Sequence, residues 1–228
     1  MKGPRGTILA GDVGGTKTNL ALYREEGGAL ERIDFRSFRS REYSGLGRIV
    51  TEFLAGKPPA RLACVGVAGP VVGGRSRVTN LPWVVEEEDL GKAVGARTFL
   101  INDLQATAFA VPFLPAQSFA PLVPGTARPS GTIGVIAAGT GLGQAFLVWG
   151  GRGYRPCPSE GGHVEFAPRD AREARLLSYL GARHGGRVSV ERAVSGPGLL
   201  AIYRFLRESE GREERPEVEP LVSGPGGP

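Results

Sequence analysis

Apolar and polar residues alternate from the start of the chain. A short apolar run over 7–10 ends at Gly11-Asp12, a Gly14-Gly15 turn follows, and Asn19-Leu-Ala-Leu-Tyr23 returns, which predicts a β-hairpin. Glu25-Glu-Gly-Gly28 predicts a second turn and a third strand over 32–38. Apolar residues then move to helical spacing at Leu46, Ile49, Val50, Phe53 and Leu54, with Ser44 the expected N-cap and Pro58-Pro59 the stop. A buried strand over 62–67 is closed by Gly69-Pro70, and a helix follows over 86–96. A strand over 99–101 ends at Asn102-Asp103, and a helix over 104–110 comes next. Three meandering strands followed by alternating helices and strands predict a mixed sheet with helices on its faces.

The pattern restarts near residue 131. A strand over 132–137, a turn Gly139-Thr-Gly-Leu-Gly143 and a strand over 145–149 form a second hairpin with a glycine-rich turn. One such hairpin at the head of each half suggests duplication of a half-domain, on layout alone. Helices are expected over 170–183 and 199–208. Beyond Gly211 the chain is dominated by Glu, Arg, Pro and Gly, too poor in apolar residues to pack, and is expected to be disordered. The expected organisation is a small α/β domain over 1–110, the start of a second over 111–208, and a tail over 209–228.

The chain has 228 residues, 41% hydrophobic and 22% charged, which fits a globular protein and excludes wholesale disorder. Cys64 and Cys157 form no CxxC pair, and His163 and His184 are the only histidines. A disulfide scaffold and a Cys- or His-rich zinc site are therefore excluded. No signal peptide is expected at the N-terminus. The uncharged run over 104–127 is broken by Pro112, Pro115, Pro121 and Pro124, and that over 129–151 by Ala-Gly-Thr-Gly-Leu-Gly-Gln. Neither suits a lipid-exposed helix, so the expectation is a cytoplasmic chain with no membrane partner. The net charge is +5, with only Lys2, Lys17, Lys57 and Lys92 as lysines. Arg32, Arg36, Arg39 and Arg41 alternate with Phe35, Phe38 and Tyr43. That pattern suits a nucleic-acid face or a solvated strand face; with no accompanying DNA-binding motif, the solvated face is the reading and no nucleic-acid partner is expected.

Four segments carry candidate chemistry. Asp12-Val-Gly-Gly-Thr-Lys-Thr18 places backbone N–H groups and hydroxyls where they could cradle a phosphate, or it is an ordinary tight hairpin. It lacks the GxxxxGK[ST] spacing of a Walker A loop. Gly139, Thr140 and Gly141 open a second candidate cradle, followed by a strand rather than the helix a dinucleotide fold needs. Two such loops suit two jaws on one polyphosphate. Asn102-Asp103 lies at a strand's carboxyl end, where Asp103 could accept a proton and Asn102 orient a substrate, or where both could cap a helix. Glu160 and His163 lie in a Gly-rich stretch and Glu191 in an apolar one; together they would suit a polyhydroxylated ligand, though His163 also reads as a core histidine.

The chain resembles bacterial ATP-dependent glucokinases of the actin and sugar-kinase superfamily. The matching segments, in the family's order, are Gly11-Asp-Val-Gly-Gly-Thr16, Gly66-Val-Ala-Gly-Pro-Val71, Thr79-Asn-Leu-Pro-Trp83, Ile101-Asn-Asp103, Ala138-Gly-Thr-Gly-Leu-Gly143, Glu160-Gly-Gly-His-Val-Glu-Phe-Ala-Pro168 and Glu191-Arg-Ala-Val-Ser-Gly-Pro-Gly-Leu199. The resemblance implies an α/β fold of two actin-like (ribonuclease H-like) lobes with mixed sheets, the second lobe incomplete. It implies Asp103 as general base, and Asn102, Glu160, His163 and Glu191 as glucose contacts. Asp12, Gly14, Gly15, Thr16, Gly139, Thr140 and Gly141 would serve ATP, with Asp12 holding Mg²⁺ through water. A homodimer is implied as well. The motifs stop near Glu208, whereas the family continues for a further third that includes a glycine motif for adenosine. The alternative is thus a truncated, inactive sugar-binding or regulatory module.

Overall fold

The computed structural model describes residues 6–126, 128–213 and 216–218. The chain divides into two compact units, Met1–Pro124 and Gly125–Pro228. In the first, β1 (Thr7–Val13), β2 (Lys17–Glu26) and β3 (Ala29–Arg39) form an antiparallel meander. β4 (Ala60–Val67) pairs parallel to β1, and β8 (Arg97–Asn102) parallel to β4, so the strand order is β3-β2-β1-β4-β8. This is the expected mixed sheet. Helices α1 (Leu46–Leu54) and α2 (Glu87–Val94) pack together, and their Ile49, Val50, Phe53, Leu90 and Val94 share one core with Leu9, Val13, Leu22, Val65 and Leu100 of the sheet. Helix α3 (Asp103–Ala110) follows β8 directly.

Two local expectations change. Gly45, not Ser44, stands at the N-cap of α1, with no side-chain hydrogen bond. Between β4 and α2 lie three short strands, β5 (Val71–Val72), β6 (Arg75–Arg77) and β7 (Val84–Glu86), which form a small antiparallel sheet. At two or three residues each, they are too short to show alternation in sequence. The arginines of β3 are engaged within the chain. Arg36 Nη2 lies 2.7 Å from Glu52 and its guanidinium stacks over Phe38, while Arg32 stacks over Phe35.

The second unit holds β9 (Ile133–Ala138), β10 (Leu142–Trp149) and β11 (Tyr154–Ser159), antiparallel in the order β11-β10-β9. The pleat sends Ala145 and Leu147 to one face, where both are buried. The other face carries Phe146 and Val148 with Ile136 of β9, which are 43%, 42% and 70% exposed. Helices α4 (Ala171–His184) and α5 (Gly196–Glu210) pair around Leu176, Leu180, Val188, Ala193 and Phe205. Asp170 caps α4 by accepting the Glu173 N–H, and Ser195 caps α5 by accepting that of Gly198. The helix therefore starts three residues before the expected position, with Pro197 tolerated in its first turn. The tail is described only in part: α5 runs to Glu210 and Gly211 closes it. Among the described residues, no helix is long and apolar enough to cross a membrane.

Candidate functional site

β1, β4 and β8 run in one direction, so their carboxyl ends lie side by side. The register places Asp12 beside Gly66, and Val67 beside Asn102. In α/β sheets, ligands collect beyond such ends. Asp12 is exposed there, its Oδ2 accepting from Asn19 Nδ2 at 3.2 Å.

Gly14, Gly15 and Thr16 make the turn from β1 to β2. Buried Ser40 clamps it. The Ser40 N–H donates to the Thr16 carbonyl at 3.0 Å, and its hydroxyl donates to that of Gly14 at 2.9 Å. Gly15 rests against the Thr79-Asn80 turn, where a Cβ on it would lie 3.0 Å from the Thr79 carbonyl oxygen. Ser40 escaped the sequence reading, because it lies in an Arg-rich stretch with no signal of its own.

Asn102 ends β8 and caps α3. Its Oδ1 accepts the Leu104 and Gln105 N–H groups, each at 3.1 Å. Its Nδ2 donates to the Gly69 carbonyl at 3.1 Å and to Asp103 Oδ1 at 2.9 Å. The Gly69 backbone has φ +150°, and a Cβ there would come within 2.7 Å of the Arg77 carbonyl oxygen, so this position requires glycine. Asp103 is the first residue of α3 and also accepts the Leu104 N–H at 2.8 Å. Burial pushes its carboxyl above the ordinary carboxylate range; the Leu104 N–H opposes this, and the charge of Asp12 adds to it. A partly buried carboxylic acid held upward by a second carboxylate is the environment of a proton acceptor.

The remaining candidates gather in the second unit. Gly139, Thr140 and Gly141 join β9 to β10 and are fastened from several sides. The Gly196 N–H, at the start of α5, donates to the Gly139 carbonyl at 2.7 Å. Glu191 Oε2 accepts the Leu142 N–H at 2.8 Å. The Gly161-Gly162 turn lies flat on the start of β10: a Cβ at Gly162 would sit 2.0 Å from the Leu142 carbonyl oxygen. His163 stands between two carboxylates, Nδ1 3.8 Å from Glu191 Oε1 and Nε2 3.7 Å from Glu160 Oε2. It is exposed, which corrects the reading of it as a core histidine. The structure thus brings Asp12, Gly14, Gly15, Thr16, Asn102 and Asp103 to one sheet end, and Gly139, Thr140, Gly141, Glu160, His163 and Glu191 to one loop cluster.

A family model described as Glucokinase matches residues 9–223, which carries the likeness past Glu208 to Ser223. The glucokinase of Nostoc punctiforme is 43% identical over 220 residues, covering 94% of this chain and 64% of that protein. That of a second Nostoc strain is 42% identical over 221 residues, with 94% and 65% covered. Among solved structures, a glucokinase from an Antarctic psychrotroph has a TM-score of 0.76 at 29% identity, with 93% of this chain and 67% of that one covered. The glucokinase of Balamuthia mandrillaris in complex with glucose has a TM-score of 0.72 at 27% identity, with 92% and 65% covered. The chain spans about 64% of the length of the first of these relatives. With matches running from β1 through α5 and taking in every candidate residue above, the chain belongs to the glucokinase family.

Proposed function

We propose that the chain transfers the γ-phosphoryl group of ATP to the 6-hydroxyl of glucose. The observation that carries the reading is Asp103, a half-buried carboxylate with a raised pKa at the shared carboxyl end of β1, β4 and β8. Asp103 takes the proton of the attacking hydroxyl, and Asn102, fixed by the Gly69 carbonyl, orients the sugar beside it. Glu160, His163 and Glu191 supply hydroxyl partners. The two glycine turns supply N–H groups to the polyphosphate, so positioning does most of the work in a loose in-line transfer.

Among the described residues, no group of three or more His, Cys, Asp or Glu could hold a metal by itself. A single exposed carboxylate at the sheet end, Asp12, fits Mg²⁺, which takes one or two carboxylates and completes its shell with water and substrate phosphates. Asp12 would hold it. Bound there, the ion would neutralise charge on the transferring phosphates. The setting we infer is the cytoplasm.

The reading is tested by following glucose 6-phosphate formation by the purified 228-residue chain. The expected outcome is turnover that needs both ATP and Mg²⁺. A folded chain that binds glucose but forms no product would replace this reading with that of a non-catalytic sugar-binding module. The bare Ile136, Phe146 and Val148 face is the feature that favours that second reading.

A further inference from the structure

Glu191 places a negative charge directly against the loop expected to hold phosphate. Its Oε2 occupies the Leu142 N–H, the first donor after Gly141. The fit is close enough that a Cβ on Gly141 would lie 2.6 Å from that oxygen. The other oxygen, Oε1, faces His163, and the carboxylate is only a quarter exposed. The short turn Val190–Arg192 carries Glu191, and the Val190 N–H donates to the carbonyl of Val164, the residue after His163, at 2.9 Å. One carboxylate therefore touches the second glycine loop with one oxygen and the sugar motif with the other.

We propose that Glu191 is a positioning residue through which sugar occupancy sets the affinity of the second glycine loop for phosphate. This rests on the functional reading above. Without sugar, the carboxylate's negative charge repels an incoming phosphate group, since unit charges a few ångströms apart interact strongly near a protein surface. When sugar hydroxyls donate to Oε1, they draw the carboxylate's electron density toward that oxygen and away from the loop. The loop then binds the polyphosphate better. Coupling of this kind is reciprocal, so the nucleotide must tighten sugar binding by the same factor.

The test is calorimetric binding of a non-hydrolysable ATP analogue with Mg²⁺ to the full chain, with and without saturating glucose. Wild type is expected to bind the analogue about 5–20-fold more tightly with glucose. In E191Q, which keeps the shape and an acceptor for the Leu142 N–H, that ratio should fall to within about two-fold, with the sugar-free affinity raised. A second variant, G141A, lies outside the sugar motif yet crowds Oε2, and should weaken glucose binding several-fold with an unchanged melting temperature. An E191Q protein that keeps the wild-type ratio, or a folded G141A protein with wild-type glucose affinity, overturns the proposal. An analogue that fails to bind wild type even with saturating glucose overturns the proposal as well. Loss of all glucose binding by wild type instead removes the functional reading, and this proposal with it. Independent binding of both ligands removes only the coupling.

Discussion

The two units hold their glycine loops in different ways. In the first, Ser40 clamps the loop above a core of twenty buried apolar residues that joins sheet and helices. In the second, the loop is fastened by Gly196, Glu191 and the Gly161-Gly162 turn, while the helix-pair core beside it has only five buried members among the described residues. The difference teaches that a loop can be ordered by close backbone approach without a thick core beneath it. Local hydrogen bonds fix geometry, and the core fixes how much disturbance that geometry survives.

The largest expected effect concerns chemistry. Asp103→Ala should lower turnover about 10²–10⁴-fold while glucose binding remains measurable by calorimetry. Unchanged turnover would remove Asp103 as the base. Next comes the contrast between the cores. Phe205→Ala and Phe53→Ala each remove a fully buried ring, at a cost of about 3–5 kcal/mol. We expect Phe205→Ala to melt the second unit in a separate, earlier transition, and Phe53→Ala to lower the main one. A single shared transition in both variants, seen by scanning calorimetry, would erase the distinction between the units.

Ser40→Ala tests the clamp. It removes a buried hydroxyl and leaves the Gly14 carbonyl unpaired, for about 1–3 kcal/mol, and should raise the KM for ATP more than it lowers kcat. An unchanged KM would show that the first loop needs no anchor. A smaller effect follows from the carboxylate pair. Burial first, and the Asp12 charge in addition, hold the Asp103 pKa high, so turnover should fall as pH drops through that raised value. Removing the Asp12 charge lowers the Asp103 pKa toward its ordinary value. The acid limb of the residual activity of Asp12→Asn should therefore move to lower pH, and a limb that stays put or moves up contradicts the pairing.

The smallest effect is on stability. A buried acid with a raised folded pKa binds its proton more tightly folded than unfolded, so the charged form burdens the fold at neutral pH. Asp103→Asn keeps an acceptor for the Leu104 N–H and should raise Tm, by about 2–4 °C or less. A lowered Tm would show that the charge itself is stabilising.

Much of this was legible in the sequence because it rests on local patterns. The β1–β2 hairpin, the mixed sheet and helix α1 follow from periodicity, helix α3 from its place after a strand, and the glycine loops from composition. What stayed hidden depends on distant partners or on exceptions to propensity. Ser40 meets Gly14 across 26 positions, and Glu191 meets Leu142 across 49. β11 contains Pro156 and Pro158, which argue against a strand; among the described residues it is an edge strand, paired only with β10, and edge strands are where proline is tolerated. The segment Val194-Ser-Gly-Pro-Gly198 reads as a breaker, yet it is a capped helix start. Its second copy, Val222-Ser-Gly-Pro-Gly226, lies outside the described residues.

The Gly161-Gly162 turn has a consequence for how this scaffold could be re-engineered. A side chain at Gly162 would strike the Leu142 carbonyl oxygen of β10, whereas one at Gly161 would meet the movable end of Gln144. A library aimed at a new hexose should therefore keep glycine at position 162. Under the proposed reading, selection would act on the tips of Asn102, Glu160, His163 and Glu191, which favours sugars that differ in where they place their hydroxyls over sugars that differ in size.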